Sequence, residues 1–529
     1  MRRISPRPFR ILVSFAALAI AAAYLSWGWS SELGDFGGDN AIYMLTAQYF
    51  APYAPSTDAV RYFATHSQYP PLYPFALALF GGAQNILIAH LVTTLFLLGA
   101  FWVLFLWCRA KDLPEFLAFM LIAMFGLSPG TYIQTLSLHS ENLYLLLSLA
   151  TLLACAYANK TSSAGWYWTA AFLAAATTLT RSAGITLVLA FSIYVLLRRV
   201  RFRVLLSLSA LAPIILWSLL NNQQGPRYLD SFFHIYGPHP LATLLAQLRT
   251  ESYALWAGWI ANFTMGGHNH LVAASFGIIC LLGMAWRAVR LKLDGVYIAA
   301  YLLVILVWPY PSEAERFMFA VLPVLAVEGI LLLYRLPLRT PLRSALSVTV
   351  VAVLLLVMSP DLALNGRLFL QPVPDDLRSL KQTYLWYASG IEDRTRGLAY
   401  QRASIDSLRS LKNLIPPNQC VFAVKPSLVG YYANRIAKGP PPSGLDSEQF
   451  NSELKKDNCQ YLYLFPFPTP SYPMAFYPAP RLKDRYTVSR IFRVHHEGAS
   501  AVAGVLARLR PSQNNADVNT GSSSTPTRQ

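Results

Sequence analysis

The chain has 529 residues, of which 54% are hydrophobic and only 13% charged, and its formal net charge is +17. That composition is too apolar for a soluble enzyme of this size and marks a polytopic membrane protein. The positive charge does not signal nucleic acid, because the basic residues stand in short clusters between apolar runs, where the positive-inside rule places them.

The basic start MRRISPRPFR leads into an apolar run from Ile11 to Trp29, long enough to cross a bilayer core as a helix. Ala21 to Ala23 resembles a signal-peptide cleavage site. The run continues to Trp27 and Trp29, however, and more spans follow, so an uncleaved anchor is expected. Next comes GDFGGDNAIY (34–43), which sets Asp35 and Asp39 among glycines where the first apolar run meets water. Ten further apolar stretches lie near residues 86–107, 112–128, 141–158, 166–180, 184–197, 204–220, 271–286, 296–309, 317–334 and 344–360, eleven spans with the first.

The short pair 166–180 and 184–197 reads as a hairpin rather than one helix with Arg181 at its middle. Only the hairpin keeps the clusters Arg198/Arg199/Arg201/Arg203, Arg287/Arg290/Lys292 and Arg335/Arg339/Arg343 on the side of the basic N-terminus. With the N-terminus in the cytoplasm, the outer face receives residues 30–85, 129–140, 181–183, 221–270, 310–316 and everything after 360. Those segments hold Asp35, Asp39, Asp58, Arg61, His66, His139, Glu141, Arg181, Arg227, Asp230, Glu313, Glu315 and Arg316, so function is expected to face outward. The GGHNH run (266–270) lacks a third ligand at helical spacing and is read as a loop rather than a metal site.

After Pro360 the chain turns polar, with helix-like stretches over 375–414 and short β-rich runs CVFAV (420–424) and QYLYLF (460–465), the pattern of a small α/β domain. Cys420 and Cys459 open those two runs. They form a disulfide if the strands are neighbours, and are otherwise two buried thiols. Cys108, Cys155 and Cys280 lie in apolar runs and give no metal pattern. Residues 511–529, rich in Ser, Thr, Asn and Gln, read as a disordered tail. The expected organisation is a transmembrane domain over 1–360, with its first outer loop at 30–85, an outer-face α/β domain over 361–510, and the tail.

Five strings carry a family resemblance. GGDNAIYMLTAQYF (37–50), YPPLYPFALALFGG (69–82), SENLYLLLSLA (140–150), TRSAGITLVLA (180–190) and ERFMFAVLPVLAVEG (315–329) resemble, in order, recurrent segments of the GT-C superfamily. These are polyprenyl-phosphate-sugar-dependent glycosyltransferases, and the match is to the branch of protein O-mannosyltransferases and the lipid A aminoarabinose transferase. The resemblance implies a multi-span α-helical fold and transfer of a sugar from a polyprenyl-phosphate-linked donor to a glycan, lipid or protein acceptor. Transfer would occur with inversion on the periplasmic face of the inner membrane. It makes Asp39 the general base with Asp35 the alternative, and Arg181 and Arg316 the groups that grip the donor phosphate. Asn40, Tyr43, Tyr69, Glu141 and Glu315 would position substrate or acceptor.

Each of these residues has a plainer reading. Asp39 also suits a helix N-cap, the arginines suit snorkelling or pairing with Glu313 or Glu315, and Glu141 suits the N-terminal charge of a helix. Family members commonly carry an acid after the first-motif Asp, and here Asn40 stands in that place. Some members use a divalent cation such as Mg or Mn and others none, so no cofactor is fixed. The alternative activity is a transporter or flippase of lipid-linked saccharides. Against it, the charges gather on one face, and the hydropathy shows no internal repeat of the kind many transporters carry.

Overall fold

The computed structural model describes residues 7–33, 36, 38–220, 240–264, 270–308, 310–380, 394–467, 469, 472, 474–483, 485–496 and 498–510. Asp35, Arg227, Asp230 and all but His270 of the GGHNH run lie outside them. By compactness the chain forms two units, Met1–Leu398 and Ala399–Gln529.

The first unit is helical, and every apolar stretch of the sequence becomes a helix. The early helices are α1 (Arg7–Trp27), α2 (Asp39–Phe50), α3 (Asp58–His66), α4 (Leu72–Leu79), α5 (Ile86–Ala110), α6 (Glu115–Gly126), α7 (Pro129–Leu136), α8 (Glu141–Thr161), α9 (Ala164–Thr180), α10 (Ile185–Leu197) and α11 (Arg203–Leu220). Later ones run His270–Val289, Leu293–Leu306, Ala314–Phe319, Leu322–Tyr334 and Thr340–Leu370. Among the described residues four helices are individually long and apolar enough to cross a membrane, and two bent pairs raise that to six. Shorter apolar helices, Ser14–Trp27, Ser182–Leu197, Arg203–Leu219 and Leu293–Leu306, accompany them. The unit is a multi-pass membrane domain.

Local chemistry sets the helix ends. Asn85 caps α5 by accepting from the Ile88 N–H at 3.3 Å. Ser128 caps α7 by accepting from the Thr131 N–H at 3.2 Å, with Pro129 at the first helical position. The Ser-Pro pair therefore starts a new helix, and α6 and α7 meet at 55°. A second bend, of 62°, separates Pro311–Phe319 from Leu322–Tyr334.

Two segments depart from the sequence reading. The loop expected over 221–270 contains a helix, Pro240–Ala261, and the final span continues ten residues beyond Pro360 to Leu370. Pro360 sits inside that helix, where the loss of one backbone hydrogen bond is tolerated. Beyond it Asn365 is buried and accepts a hydrogen bond from the Tyr132 hydroxyl of α7 at 3.0 Å, a contact that holds the extra turns in place. The core of this unit includes fully buried tyrosines. The Tyr144 and Tyr297 hydroxyls are fully buried and satisfy each other at 2.8 Å.

The second unit is a small α/β domain. Its strands are β1 (Val421–Ala423), β2 (Ala437–Lys438), β3 (Tyr461–Leu464), β4 (Tyr486–His496) and β5 (Ala499–Leu509), in the order β2-β1-β3-β5-β4. β1 runs parallel to β2 and β3, while β5 is antiparallel to β3 and β4. Val421 lies opposite Tyr461, which brings Cys420 and Cys459, just before the two strands, to a Cα separation of 4.8 Å, and they are joined as a disulfide.

Candidate functional site

Asp39 opens α2, but it is not the cap. Gly38 holds that position at φ 99°, a left-handed conformation that glycine adopts without a Cβ penalty, and Asp39 becomes the first helical residue. Its carboxylate is therefore released from backbone capping and turns to side chains. Oδ1 accepts the Tyr69 hydroxyl at 2.7 Å, and Oδ2 pairs with Arg316 Nη1 at 2.6 Å. Tyr69 arrives from the Tyr-Pro-Pro segment that leads into α4, and its ring lies 5.2 Å from that of Tyr43.

Arg316 comes from the helix Ala314–Phe319, 277 positions away from Asp39 in sequence. Beyond Asp39 it pairs with Glu141 at the start of α8, through Nε to Oε1 and through Nη2 to Oε2 at 3.3 Å. Its own neighbour Glu313 stands further off, at 3.4 Å. Glu141 is fully buried and also takes Arg181 Nη1 at 2.5 Å. The two arginines thus share one buried carboxylate, and Arg316 spans two acids from distant elements besides its neighbour Glu313.

Arg181 is placed by a tight turn between α9 and α10, the hairpin that the charge clusters demanded. The Gly184 N–H donates to the Arg181 carbonyl at 2.8 Å. A Cβ on Gly184 would fall 2.5 Å from the Thr177 backbone, so only glycine lets the turn close. The Arg181 guanidinium lies 5.5 Å from the Phe317 ring centroid, donates to Ser140 Oγ at 3.2 Å, and keeps a buried Nε–H with no hydrogen-bond partner among the described residues. Ser140 was not singled out from the sequence. It also exchanges a hydrogen bond with the Tyr43 hydroxyl at 3.0 Å, and so links α2 to the arginines.

The expected residues divide on this geometry. Asp39, Tyr69, Glu141, Arg181 and Arg316 form one continuous network, with Tyr43 attached through Ser140. Asn40 is buried on α2. Glu315 makes no ion pair among the described residues, and it is Glu313 that reaches Arg316.

The electrostatics follow from burial and pairing. Burial alone would raise the Asp39 carboxyl, but the Arg316 charge and hydrogen bond, together with the Tyr69 hydroxyl, outweigh it and hold the group below the usual carboxylate range. Burial pushes the Tyr43 phenol up to about 12, so it serves as a neutral hydrogen-bonding group. The described residues contain no group of three or more His, Cys, Asp or Glu suited to a metal. Among the described residues the two acids nearest the centre, Asp39 and Glu141, are both paired with guanidiniums.

No protein-family model matches the chain, and no curated protein matches it in sequence. Among solved structures, ArnT from Cupriavidus metallidurans bound to undecaprenyl phosphate is similar, with TM-score 0.50 and 14% identity over 95% of this chain and 98% of that one. The apo state of the same protein gives TM-score 0.49 and 13% identity over the same shares. An oligosaccharyltransferase from Archaeoglobus fulgidus, in complex with Zn and sulfate, gives 0.47 and 14% over 93% of this chain and 72% of that one. The likeness to the undecaprenyl-phosphate-bound ArnT structure runs over nearly the whole of both chains and is one of fold.

Proposed function

We propose that this chain is a membrane glycosyltransferase that moves a sugar from a polyprenyl-phosphate donor to an acceptor hydroxyl on the periplasmic side of the inner membrane. The observation that carries the reading is the network in which Asp39 is held between Tyr69 and Arg316, with Glu141 and Arg181 behind it. A carboxylate and two guanidiniums at one end of a membrane bundle are the groups such a transfer asks for. The similarity to an ArnT structure bound to undecaprenyl phosphate supports a lipid phosphate as the donor's carrier.

The reaction needs three things. The acceptor hydroxyl attacks the anomeric carbon from the face opposite the phosphate, which inverts the centre, and its proton passes to a carboxylate, here Asp39. The bond from the anomeric carbon to the phosphate oxygen breaks, and its electron pair leaves with the polyprenyl phosphate. That phosphate departs as a stable anion, so no strong general acid is required. Guanidiniums at Arg181 and Arg316 stabilise the charge as it develops.

The arginines are paired before the donor arrives, and this gives the site its logic. The Nε–H of Arg181, buried and without a hydrogen-bond partner among the described residues, is the donor left over for a phosphate oxygen once the sugar donor displaces its surroundings. As Arg316 turns from Asp39 toward the phosphate, the main influence holding the Asp39 carboxyl down is withdrawn while burial remains. Asp39 thereby becomes a stronger base as the donor seats. Tyr69 keeps it oriented through the exchange. Asp35 is the alternative base, and Asn40, Tyr43 and Glu315 serve in positioning. Residues 1–360 carry the chemistry, with the N-terminus cytoplasmic, and the periplasmic 361–510 region contributes to acceptor choice.

The test is transfer from radiolabelled polyprenyl-phosphate sugars with purified wild type and Asp39→Asn. Loss of the base should lower the rate about 10²–10⁴-fold, with the protein still folded. Full activity in Asp39→Asn would remove Asp39 from the role.

A further inference from the structure

Helix α8 carries Glu141 at one end and Lys160 near the other, a separation of about 28 Å at helical rise. Around that far end lies a cavity of about 300 Å³, lined by six basic side chains and two acids. The basic residues come from the ends of separate helices: Lys111 follows α5, Lys160 closes α8, Arg198 follows α10, Arg287 ends His270–Val289, Lys292 precedes Leu293–Leu306, and Arg335 follows Leu322–Tyr334.

The acids do not neutralise this set. Asp294, at the floor, is already saturated by Arg287, through Nε at 3.0 Å and Nη2 at 2.5 Å, and by Lys111 at 2.7 Å. Asp112 pairs with Lys160 at 2.9 Å. Arg198, Lys292 and Arg335 are left with no carboxylate partner among the described residues. Arg335 has instead the ring of Trp286, at 5.9 Å. These charges act on one another, since Lys292 is held below the usual lysine range by burial and then by Arg198, Arg287 and Lys111. Topology signals need only lie in loops on one side of a membrane. The positive-inside rule gives no reason for six helix ends to bring their cations to the wall of one cavity.

We propose that this cavity is an anion site that binds a phosphate group at the membrane face opposite the Asp39 network, either the headgroup of an anionic phospholipid or soluble phosphate. A phosphate fits the volume and supplies the missing counter-charge. It would take charge-assisted hydrogen bonds from Arg198, Lys292 and Arg335 while the Arg287–Asp294–Lys111 floor stays intact. The site does not depend on the reaction assigned to the other end of the bundle.

The experiment measures thermal unfolding of the purified full-length protein in detergent, titrated with phosphatidylglycerol, with phosphatidylcholine and with inorganic phosphate. Wild type should be stabilised by phosphatidylglycerol and not by phosphatidylcholine if the ligand is a lipid headgroup. Stabilisation by inorganic phosphate at millimolar level identifies a soluble ligand of the same chemistry. Arg198→Gln/Lys292→Gln/Arg335→Gln should lose the response, whereas Arg201→Gln, an exposed cation on the same side but outside the cavity, should keep it. Should the triple variant fold poorly, Lys292→Gln alone relieves repulsion, so it should unfold no lower than wild type without anion and bind at least threefold more weakly. A wild type indifferent to both anions, or variants that respond as wild type does, would overturn the proposal.

Discussion

Replacing Glu141 with Gln should destabilise the helical unit by about 3–5 kcal/mol, the usual cost of leaving buried charge without its partner. Glu141 is fully buried and its carboxylate sits between Arg181 Nη1 at 2.5 Å and two nitrogens of Arg316. At charge separations of roughly 4 Å and an effective dielectric of about 20, each pair is worth on the order of 4 kcal/mol before desolvation. Gln removes both attractions and leaves two guanidiniums facing each other across a neutral amide. Relief of the desolvation of Glu141 offsets part of this, as does the water that reaches the arginines, which are 13% and 15% exposed. Arg316 keeps Asp39, whereas Arg181 loses its only ion pair among the described residues. The assay is thermal unfolding in a fixed detergent at a fixed scan rate, where the loss should appear as a drop on the order of 5–10 °C. Adding Arg181→Gln removes the orphaned cation, so Glu141→Gln/Arg181→Gln should lose about 1–3 kcal/mol less than the sum of the two single variants. An unfolding temperature equal to wild type for Glu141→Gln, or strict additivity in the cycle, would refute this account of the network.

Two further outcomes test the site and the second unit. In Arg316→Gln, burial is left to act on Asp39 without the opposing cation, so its carboxyl rises; because a general base must be deprotonated, the acid limb of the kcat/KM profile should move to higher pH. A profile measured from acid to neutral pH that keeps its wild-type acid limb would count against Asp39 as the titrating base. The Cys420–Cys459 disulfide closes a sequence separation of 39 residues, and Cys420→Ser/Cys459→Ser should cost the C-terminal unit about 2–4 kcal/mol. The readout is proteolysis of the full-length chain in rising urea, in which that unit should be cut at lower denaturant than in wild type; equal resistance would show the bond contributes little.

What the sequence discloses depends on how local the cause is. Apolar runs of helical length are local, so every stretch proposed as a span proved helical, and the hairpin at Arg181 followed from where neighbouring charge clusters had to lie. Pro240–Ala261 was missed because Gln247, Arg249 and Glu251 interrupt its apolar pattern, although Glu251 is buried and Gln247 hydrogen-bonds the Trp308 carbonyl at 2.6 Å. Only tertiary contacts make that segment a packed helix. The disulfide was likewise undecided, because two cysteines beside two strands say nothing of strand adjacency until β1 and β3 are seen in register.

The same distinction explains Asp39. In sequence an N-cap and a catalytic acid look alike, each being an Asp ahead of a helical run. The difference rests on a single backbone angle and one distant residue. Gly38 at φ 99° takes over the cap position, so the Asp39 carboxylate is not drawn back to the first-turn N–H groups. Arg316, 277 positions on, then supplies a charge-assisted partner that an exposed first-turn acid would lack. A helix start with glycine at the cap and the acid one residue inside therefore leaves both carboxylate oxygens to side-chain partners, here Tyr69 and Arg316. That is the local signal in GGDN which, joined to an arginine at the start of a distant span, separates an acid held by distant side chains from one that caps its own helix.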